Sequence, residues 1–404
     1  MAAAALGQEA GPKQQEIVSE ESKRVVPMTY VRRVFTLSFV VALNCFLCHS
    51  TWAQVSASSL NDRARFLAAM PVADGSPLKA LEGLPAYQEQ SKVLSAQWQD
   101  IQKKRWNSLT AWAAAEIEPH INHASPVFYM FGGPDILNAY LIYTRASKYI
   151  LCGLEAVGRV PALEKMTRKD IESTLSGVHA SIQPALDSSF FVTGEMSKSL
   201  RHGELYGLLQ VFYVFLARCD NTIENVEYLK LDEKGKLTAI PEESTDRDGV
   251  RGVKITFTHA GASVSQELYY FREDVSDKAL SRDNRFLSYL NALGEGNSYL
   301  KAASYLMHTK EFILIRDFLL SRSSSILQDD SGIPYRYFRT GTWQVTLYGS
   351  YSKPISGFRW AVQEDLQKAY LAPGEVRPMP FKTGYGTQEN ANLLFARRAP
   401  AKAR

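Results

Sequence analysis

Four acidic side chains stand just after segments that have the composition of buried strands. Asp135 follows "VFYMFGGP", Glu155 follows "KYILCGL", and Asp329 and Asp330 follow "SSILQ". If these strands are parallel neighbours, their carboxyl ends meet at one edge of a sheet, where such sheets bind ligands. Clustered carboxylates can hold a divalent cation or divide the roles of general acid and general base. All four are therefore candidate catalytic residues, and the metal and any cofactor remain open.

The same acids also have structural explanations. The run from Asp329 to Gly332 has the composition of a turn. In the run "GGPD", Pro134 suits the first position of a helix, and Asp135 in the first turn complements the helix dipole. We favour the reading of Asp135 as a helix starter, although the glycine pair before it would also let a substrate approach the backbone.

The histidines offer weaker candidates. His120 and His123 have the H-x-x-H spacing that brings two ligands onto one face of a helix. Pro119 and Pro126 bracket them, so a surface loop is the favoured interpretation. His202, in "RHGEL", is a further candidate base.

Several common motifs of enzymes are missing from the sequence. Neither G-x-x-x-x-G-K-[ST] nor G-x-G-x-x-G after a strand is present. The G-x-S-x-G and zincin patterns are absent as well. These absences argue against the common ATPases, dehydrogenases, serine hydrolases and zinc proteases.

The hydrophobic patterns predict an α/β fold, in which flanking helices cover a mixed sheet. A long amphipathic helix is expected over 87–118. The apolar strands 127–131 and 148–154, joined by a helix over 134–143, indicate a βαβ unit whose strands are buried on both faces. Residues 224–273 alternate in the manner of two hairpins and are read as an antiparallel β-hairpin insertion.

Other segments are assigned by the same criteria. Helices are predicted at 167–182 (stopped by Pro184), 200–219, 277–293, 311–321 and 358–370, and strands at 325–328, 342–351 and 391–398. Residues 298–308 fit a strand or an apolar helix equally well.

The N-terminal region resembles an export signal. Arg32 and Arg33 precede an apolar run over 34–48, and the segment Thr51–Ala53 places small residues where a signal peptidase needs them, with cleavage after Ala53. The run is short for a membrane-spanning helix, which needs about 20 residues. We therefore expect an exported protein, periplasmic or secreted, whose true start could be Met28.

These patterns divide the chain into four regions. They are an extension with signal peptide at 1–53, a helical lead-in at 54–126, an α/β domain at 127–398 and a disordered tail at 399–404. We expect no membrane span in the mature chain.

The cysteines give little indication of chemical function. Cys45 and Cys48 belong to a C-x-x-C-H pattern of haem attachment, but it lies in the signal and would be cleaved away. The mature chain keeps Cys152 and Cys219, for which two buried thiols are favoured over a disulfide.

The charge balance excludes one class of partner. The formal net charge is +4, and no Lys/Arg-rich block with interleaved aromatic residues occurs. We therefore expect no nucleic-acid partner.

At "YMFGGPDILNAY…KYILCGLEAVG" and "SILQDDSGIPYRYF…WQVTLYGSYSKPISGF" the chain resembles a family of uncharacterised exported bacterial proteins. The resemblance covers most of the mature region and implies a bacterial source and an envelope or secreted location. It brings no activity, cofactor or residue role.

Two functional hypotheses follow. The first is a non-catalytic envelope or periplasmic protein that binds a small molecule, a glycan or an envelope protein. The second is a carboxylate-dependent hydrolase, acting with or without the assistance of a metal ion, that uses Asp135, Glu155, Asp329 and Asp330. We favour the first hypothesis, because each of these acids has an adequate structural explanation.

Overall fold

One mixed sheet of eleven strands runs through the described part of the chain. The structure is a computed structural model that describes residues 56–160, 162–191, 196, 206–242, 250–387 and 391–399. The predicted signal peptide, Met28, His202 and the end of the predicted tail lie outside these residues. The strands are β1 Val127–Tyr129, β2 Lys148–Gly153, β3 Asn221–Leu231, β4 Leu237–Ala239, β5 Arg251–His259, β6 Gln266–Arg272, β7 Gly296–Leu300, β8 Ser323–Gln328, β9 Trp343–Gly349, β10 Val376–Arg377 and β11 Asn392–Arg398.

The strand order is β10-β9-β11-β8-β7-β1-β2-β6-β5-β3-β4. Five strands at the centre, β8-β7-β1-β2-β6, are parallel to one another. Antiparallel pairing extends this core on both sides, through β11 and β9 beyond β8 and through β5, β3 and β4 beyond β6. The predicted α/β fold with a mixed sheet is therefore confirmed.

Ten α-helices are found among the described residues. They are α1 Ala57–Leu67, α2 Pro85–Ile101, α3 Asn107–Glu116, α4 Ile136–Ile142, α5 Arg168–Ser188, α6 Leu209–Arg218, α7 Asp277–Arg282, α8 Arg285–Ala292, α9 Ile313–Arg322 and α10 Glu364–Leu371. None of the helices in these described ranges combines the length and the apolarity needed to cross a membrane.

Neighbouring residues of the central strands face two separate cores. Tyr129 of β1 packs into one hydrophobic cluster together with residues of α1 to α6, such as Phe212. Phe128 of the same strand packs into a second cluster with residues of α7 to α10, such as Phe318. Because helices cover both faces, the strands need apolar residues at successive positions, which explains the continuous apolar runs of the sequence.

Both predicted hairpins are present in the structure. β3 pairs with β4, and β5 pairs with β6, each in antiparallel register. The second hairpin does more than extend the edge of the sheet, because β6 also pairs in parallel with β2. The region 224–273 thus supplies the fifth strand of the parallel core.

The long helix predicted over 87–118 is present, with one irregular turn. α2 runs into a π-helical turn at Gln102–Trp106 and then into α3. The turn places the ring of Trp106 against that of Trp98, with centroids 4.5 Å apart. The helices of the predicted lead-in therefore join the same core as the sheet.

The predicted end of the helix before Pro184 is wrong. α5 continues to Ser188 with Pro184 inside it. A proline in a helix interior removes one hydrogen bond and strains the preceding turn. Burial of Ala185 and Leu186 in the core compensates for that loss here, and the helix ends at Ser189 in a left-handed conformation.

Two other predicted helices are each divided. The segment 277–293 forms α7 and α8, separated at Asp283, whose carboxylate binds the backbone N–H and the guanidinium of Arg285. The segment 358–370 forms a 3₁₀ helix at Ser356–Ala361 followed by α10. The segment 200–219 is helical from Leu209 onward, and 200–205 lie outside the described residues.

The thiols of Cys152 and Cys219 are both free, as the sequence favours. Cys152 is fully buried in β2, and burial raises its pKa well above the usual value. Cys219 is half-buried at the end of α6.

Candidate functional site

A charged side chain follows the carboxyl end of every strand in the parallel core. They are Asp135 after β1, Glu155 after β2, Glu273 after β6, Lys301 after β7 and Asp329 after β8. From β1 the chain proceeds to β2 and β6 on one side, whereas β7 and β8 lie on the other side of β1. The order therefore reverses between β1 and β7, and a cleft at the carboxyl ends is expected at that point.

Asp135 and Lys301 form a buried ion pair at this position. Lys301 Nζ lies 2.7 Å from Asp135 Oδ2, and the two side chains are only 1% and 5% exposed. Lys301 also donates to the carbonyl oxygen of Ser189, and the Tyr129 hydroxyl donates to Asp135 Oδ2 at 2.8 Å. A buried carboxylate with a cation and further donors is electrostatically compensated, so the pair can persist away from water.

Asp135 is also the helix starter that the sequence favours. It is the N-cap of α4, one position before the first helical residue. Its Oδ1 accepts from the backbone N–H of Asn138 at 3.4 Å and from Asn138 Nδ2 at 2.7 Å. Pro134 accordingly precedes the cap and does not occupy the first helical position, so the predicted start is displaced by two residues. The capping role and the ion pair use different oxygens of one carboxylate.

The glycines at the ends of β1 and β2 allow the two strand ends to approach closely. Gly133 has a φ of +49°, and its N–H donates to the carbonyl oxygen of Cys152 at 3.0 Å. A Cβ at Gly153 would lie 3.0 Å from Cα of Gly133 and 2.6 Å from Oε2 of Glu155. The absence of side chains here thus leaves room for the carboxylate of Glu155 beside the backbone.

Asp329 fixes the turn that follows β7. Its Oδ2 accepts from the N–H of Ala302 at 3.2 Å, and its Oδ1 accepts from the N–H and the hydroxyl of Ser331. Ala302 has a φ of 60° and a ψ of −90°, a conformation that costs free energy for a residue with a Cβ. Burial raises the pKa of Asp329, and the charge of nearby Lys301 opposes that shift.

The carboxylate of Asp330 accepts hydrogen bonds from a different set of side chains. Its Oδ2 accepts from the Tyr305 hydroxyl at 2.6 Å, and its Oδ1 accepts from Asn392 Nδ2 at 2.9 Å. Burial and the neighbouring charge of Asp329 raise the pKa of Asp330. It is thus an internal hydrogen-bond acceptor.

A cavity of about 300 Å³ opens over the ends of these strands. Its charged lining comprises Asp135 and Lys301, which are buried, and Glu155, Glu273 and Asp274, which are more exposed. Most of the wall is apolar, with Leu154, Phe190, Phe191, Val275, Leu306 and Phe312. The volume and the apolar lining are those of a small-molecule site.

The structure therefore divides the four acids of the sequence hypothesis. Asp135 and Glu155 line the cavity, whereas Asp329 and Asp330 lie outside its lining. Asp329 is adjacent nonetheless, because a Cβ at Gly384 would lie 2.8 Å from Asp329 Oδ2 and 2.9 Å from Lys301 Cγ.

Three charged residues of the lining, Lys301, Glu273 and Asp274, were not identified from the sequence. Lys301 falls in the segment 298–308, whose sequence fits both a strand and an apolar helix. Glu273 directly follows β6, so the strand-end criterion that selected Glu155 would have selected it as well. Burial raises the pKa of Glu273 to about 7, and the charges of Asp283 and Asp274 add to the effect.

The H-x-x-H histidines have separate partners. His120 Nδ1 lies 2.9 Å from Arg397 Nη1, and burial lowers the pKa of this imidazole. His123 Nε2 lies 3.4 Å from Glu118 Oε2. Within the described ranges, no group of three or more His, Cys, Asp or Glu side chains is arranged to hold a metal ion.

No family model, no curated protein and no solved structure matches the chain.

Proposed function

We propose that this protein binds a small molecule in the cavity at the carboxyl edge of its parallel strands. The observation that carries the proposal is the position of that cavity. It lies at the reversal between β1 and β7, with the buried pair of Asp135 and Lys301 beneath an apolar wall. Cavities of this kind take ligands with an apolar body and a small number of polar groups.

The hydrogen bonds of the buried acidic side chains favour a binding function over a catalytic one. Each of Asp135, Asp329 and Asp330 accepts hydrogen bonds at both carboxylate oxygens. A general acid or base must reach the proton of a substrate, and two of these three lie outside the cavity lining. In hydrolases with a strained turn after a strand, the strained residue is the nucleophilic serine; here it is Ala302, which carries no nucleophile.

Binding can be tested with 2-phenylethanol, a neutral probe with an apolar body, by ligand-observed NMR titration. An affinity on the order of 1 mM is expected for so small a ligand. Ala303 lines the cavity and is exposed, so Ala303→Trp should obstruct it and weaken binding by roughly tenfold or more.

The matched control is Ala115→Trp, at an exposed position of α3 outside the lining. It should bind the probe with the affinity of the unmodified protein. The proposal would be overturned if the Ala303 variant bound the probe equally well, or if the unmodified protein bound neither this probe nor its amine analogue 2-phenylethylamine.

A carboxylate-dependent hydrolase is the second candidate, and one observation favours it. Glu155 and Glu273 line the same cavity, and the pKa of Glu273 is raised to about 7. A carboxyl group that retains its proton near neutral pH can serve as a general acid. Hydrolysis of 4-nitrophenyl acetate that Glu273→Gln abolishes would favour this candidate.

We also propose that the protein is exported by a bacterium to the periplasm or the medium. The support is in the sequence, where Arg32 and Arg33 precede the apolar run 34–48 and a cleavage pattern ends at Ala53. Mass determination of the natural protein should find Gln54 as the first residue.

A further inference from the structure

The charges that line the cavity are not balanced. Lys301 is neutralised by Asp135 at 2.7 Å. Glu155, Glu273 and Asp274 also line the cavity, and none of the three forms an ion pair with any described residue. With the buried pair cancelled, the remaining formal charge of the lining is negative.

The cations near this wall are engaged elsewhere or lie outside the lining. Arg285 forms a short ion pair with Asp283, at 2.7 Å. The guanidinium of Arg272, at the end of β6, donates to the carbonyl oxygen of Leu154 at 3.2 Å, and Arg272 is not part of the lining. The charges of Arg282 and Arg285 act on Glu273 from outside the lining, but among the described residues no arginine forms an ion pair with Glu155, Glu273 or Asp274.

Aromatic rings form a large part of the same wall. The rings of Phe131 and Phe312 meet edge to face, with centroids 5.8 Å apart, and those of Phe190 and Tyr385 do so at 4.7 Å. All four residues line the cavity. The face of an aromatic ring is negative and attracts a cation within about 6 Å of its centroid.

These features together restrict the class of ligand. We infer that the cavity selects an organic amine, whose apolar body packs on the phenylalanine rings and whose ammonium group pairs with the carboxylates of Glu155, Glu273 and Asp274. Carboxylates beside apolar walls lose hydration, and in a low-dielectric pocket a ligand cation compensates that loss strongly. The inference rests on the proposed binding function and adds the charge of the ligand to it.

Three probes that share a phenyl ring separate the two proposals. They are 2-phenylethylamine, 2-phenylethanol and 3-phenylpropionate, whose head groups are cationic, neutral and anionic at pH 8. We expect the amine to bind the unmodified protein roughly tenfold more tightly than the alcohol in calorimetric or NMR titrations, and the carboxylate to bind more weakly than the alcohol.

Each outcome decides a different point. Equal affinities for amine and alcohol would overturn the choice of an amine and leave the binding proposal standing. Tightest binding of 3-phenylpropionate would also overturn it, because Lys301 would then be the recognising charge. No binding of any probe would overturn the proposed function itself.

Substitution of the carboxylates tests their role directly. In the double variant Glu155→Gln/Glu273→Gln, the ratio of amine to alcohol affinity should fall toward one. The matched control is Glu233→Gln, in the exposed turn between β3 and β4, which should keep the tenfold ratio. A double variant that retains the full preference for the amine would overturn the inference.

Discussion

Lys301 and Asp135 depend on each other at the centre of the site. Each is almost fully buried, and each supplies the charge that the other lacks. Bringing either ion alone out of water would cost several kcal/mol, whereas a hydrogen-bonded pair recovers most of that cost. The pair also joins the end of β7 to the start of α4, so an electrostatic contact sets the geometry of the cavity floor.

Removal of the lysine charge should therefore destabilise the folded protein strongly. Lys301→Met keeps the length of the side chain but leaves the carboxylate of Asp135 buried without a cation. We expect the free energy of unfolding to fall by about 3–5 kcal/mol. Urea denaturation at pH 7 measures this loss.

A second variant distinguishes lost charge compensation from lost packing. In Lys301→Met/Asp135→Asn, the uncompensated charge is gone, and the amide oxygen can still accept from the backbone N–H of Asn138. The double variant should be more stable than Lys301→Met alone. If it is less stable, the buried charge is not the source of the loss.

The raised pKa of Glu273 predicts how the stability of the folded protein depends on pH. Burial, with the charges of Asp283 and Asp274, raises its pKa from 4.5 to about 7, while Arg282 and Arg285 oppose the shift. Between these values the folded protein binds more protons than the unfolded chain, so the contribution of this group to stability falls as pH rises and is constant above pH 7.

The variant Glu273→Gln should remove that contribution. At pH 8 the variant should have a higher free energy of unfolding than the unmodified protein. Because the side chain is only partly buried, solvent screening limits this increase to about 1 kcal/mol. Urea denaturation at pH 4 and pH 8 measures the difference for both proteins. An identical dependence on pH in both would show that the carboxyl group titrates normally in the folded state.

Among the elements, β7 shows why the sequence identified only part of the site. Asn297 and Ser298 are buried in this strand, and they bind side chains of β8, with Ser325 Oγ at 2.8 Å from Asn297 Oδ1 and Ser323 Oγ at 2.6 Å from Ser298 Oγ. A buried strand with polar residues lacks the apolar run that identified β1 and β2. Lys301 was missed with it, because a strand-end residue can be recognised only when the strand is.

The side chain of Arg218 connects the helices α1, α2 and α6, and this contact gives a prediction about these elements. Arg218, in the last turn of α6, donates to the carbonyl oxygens of Ala68 at 2.8 Å and Ala69 at 3.4 Å and to Ser95 Oγ at 3.1 Å. Burial lowers its pKa to about 10, so it remains charged at pH 7. Arg218→Met keeps much of the packing but leaves the carbonyls at the end of α1 without this donor.

We expect Arg218→Met to lower the free energy of unfolding by about 2 kcal/mol. Hydrogen exchange should show amides of α1 losing protection more than those of β2. The control is Arg168→Met, whose exposed pair with Glu172 should be worth less than about 0.5 kcal/mol. Equal losses in both variants would contradict a connecting role for Arg218.

At the scale of the whole molecule, the sequence predicts the layers but not how distant segments pack. Composition and periodicity indicated helices over a mixed sheet, because these signals are local. They also suggested a helical lead-in at 54–126 ahead of an α/β domain at 127–398. In the structure Leu60, Phe66 and Trp98 of the lead-in belong to the same core cluster as Phe215 of α6. Contacts between such distant segments leave no local pattern.

This shared core predicts what truncation would do. Removal of residues 1–126 would expose the apolar face of the sheet and of α4 to α6, at a cost of roughly 25 cal/mol for each Å² of apolar surface. A chain of residues 127–404 should therefore lack a cooperative urea transition and should bind the dye 1-anilinonaphthalene-8-sulfonate. A chain of residues 56–404, which keeps every described residue, should unfold cooperatively. Cooperative unfolding of the shorter chain would show that the α/β region folds independently and that the first three helices are an accessory layer.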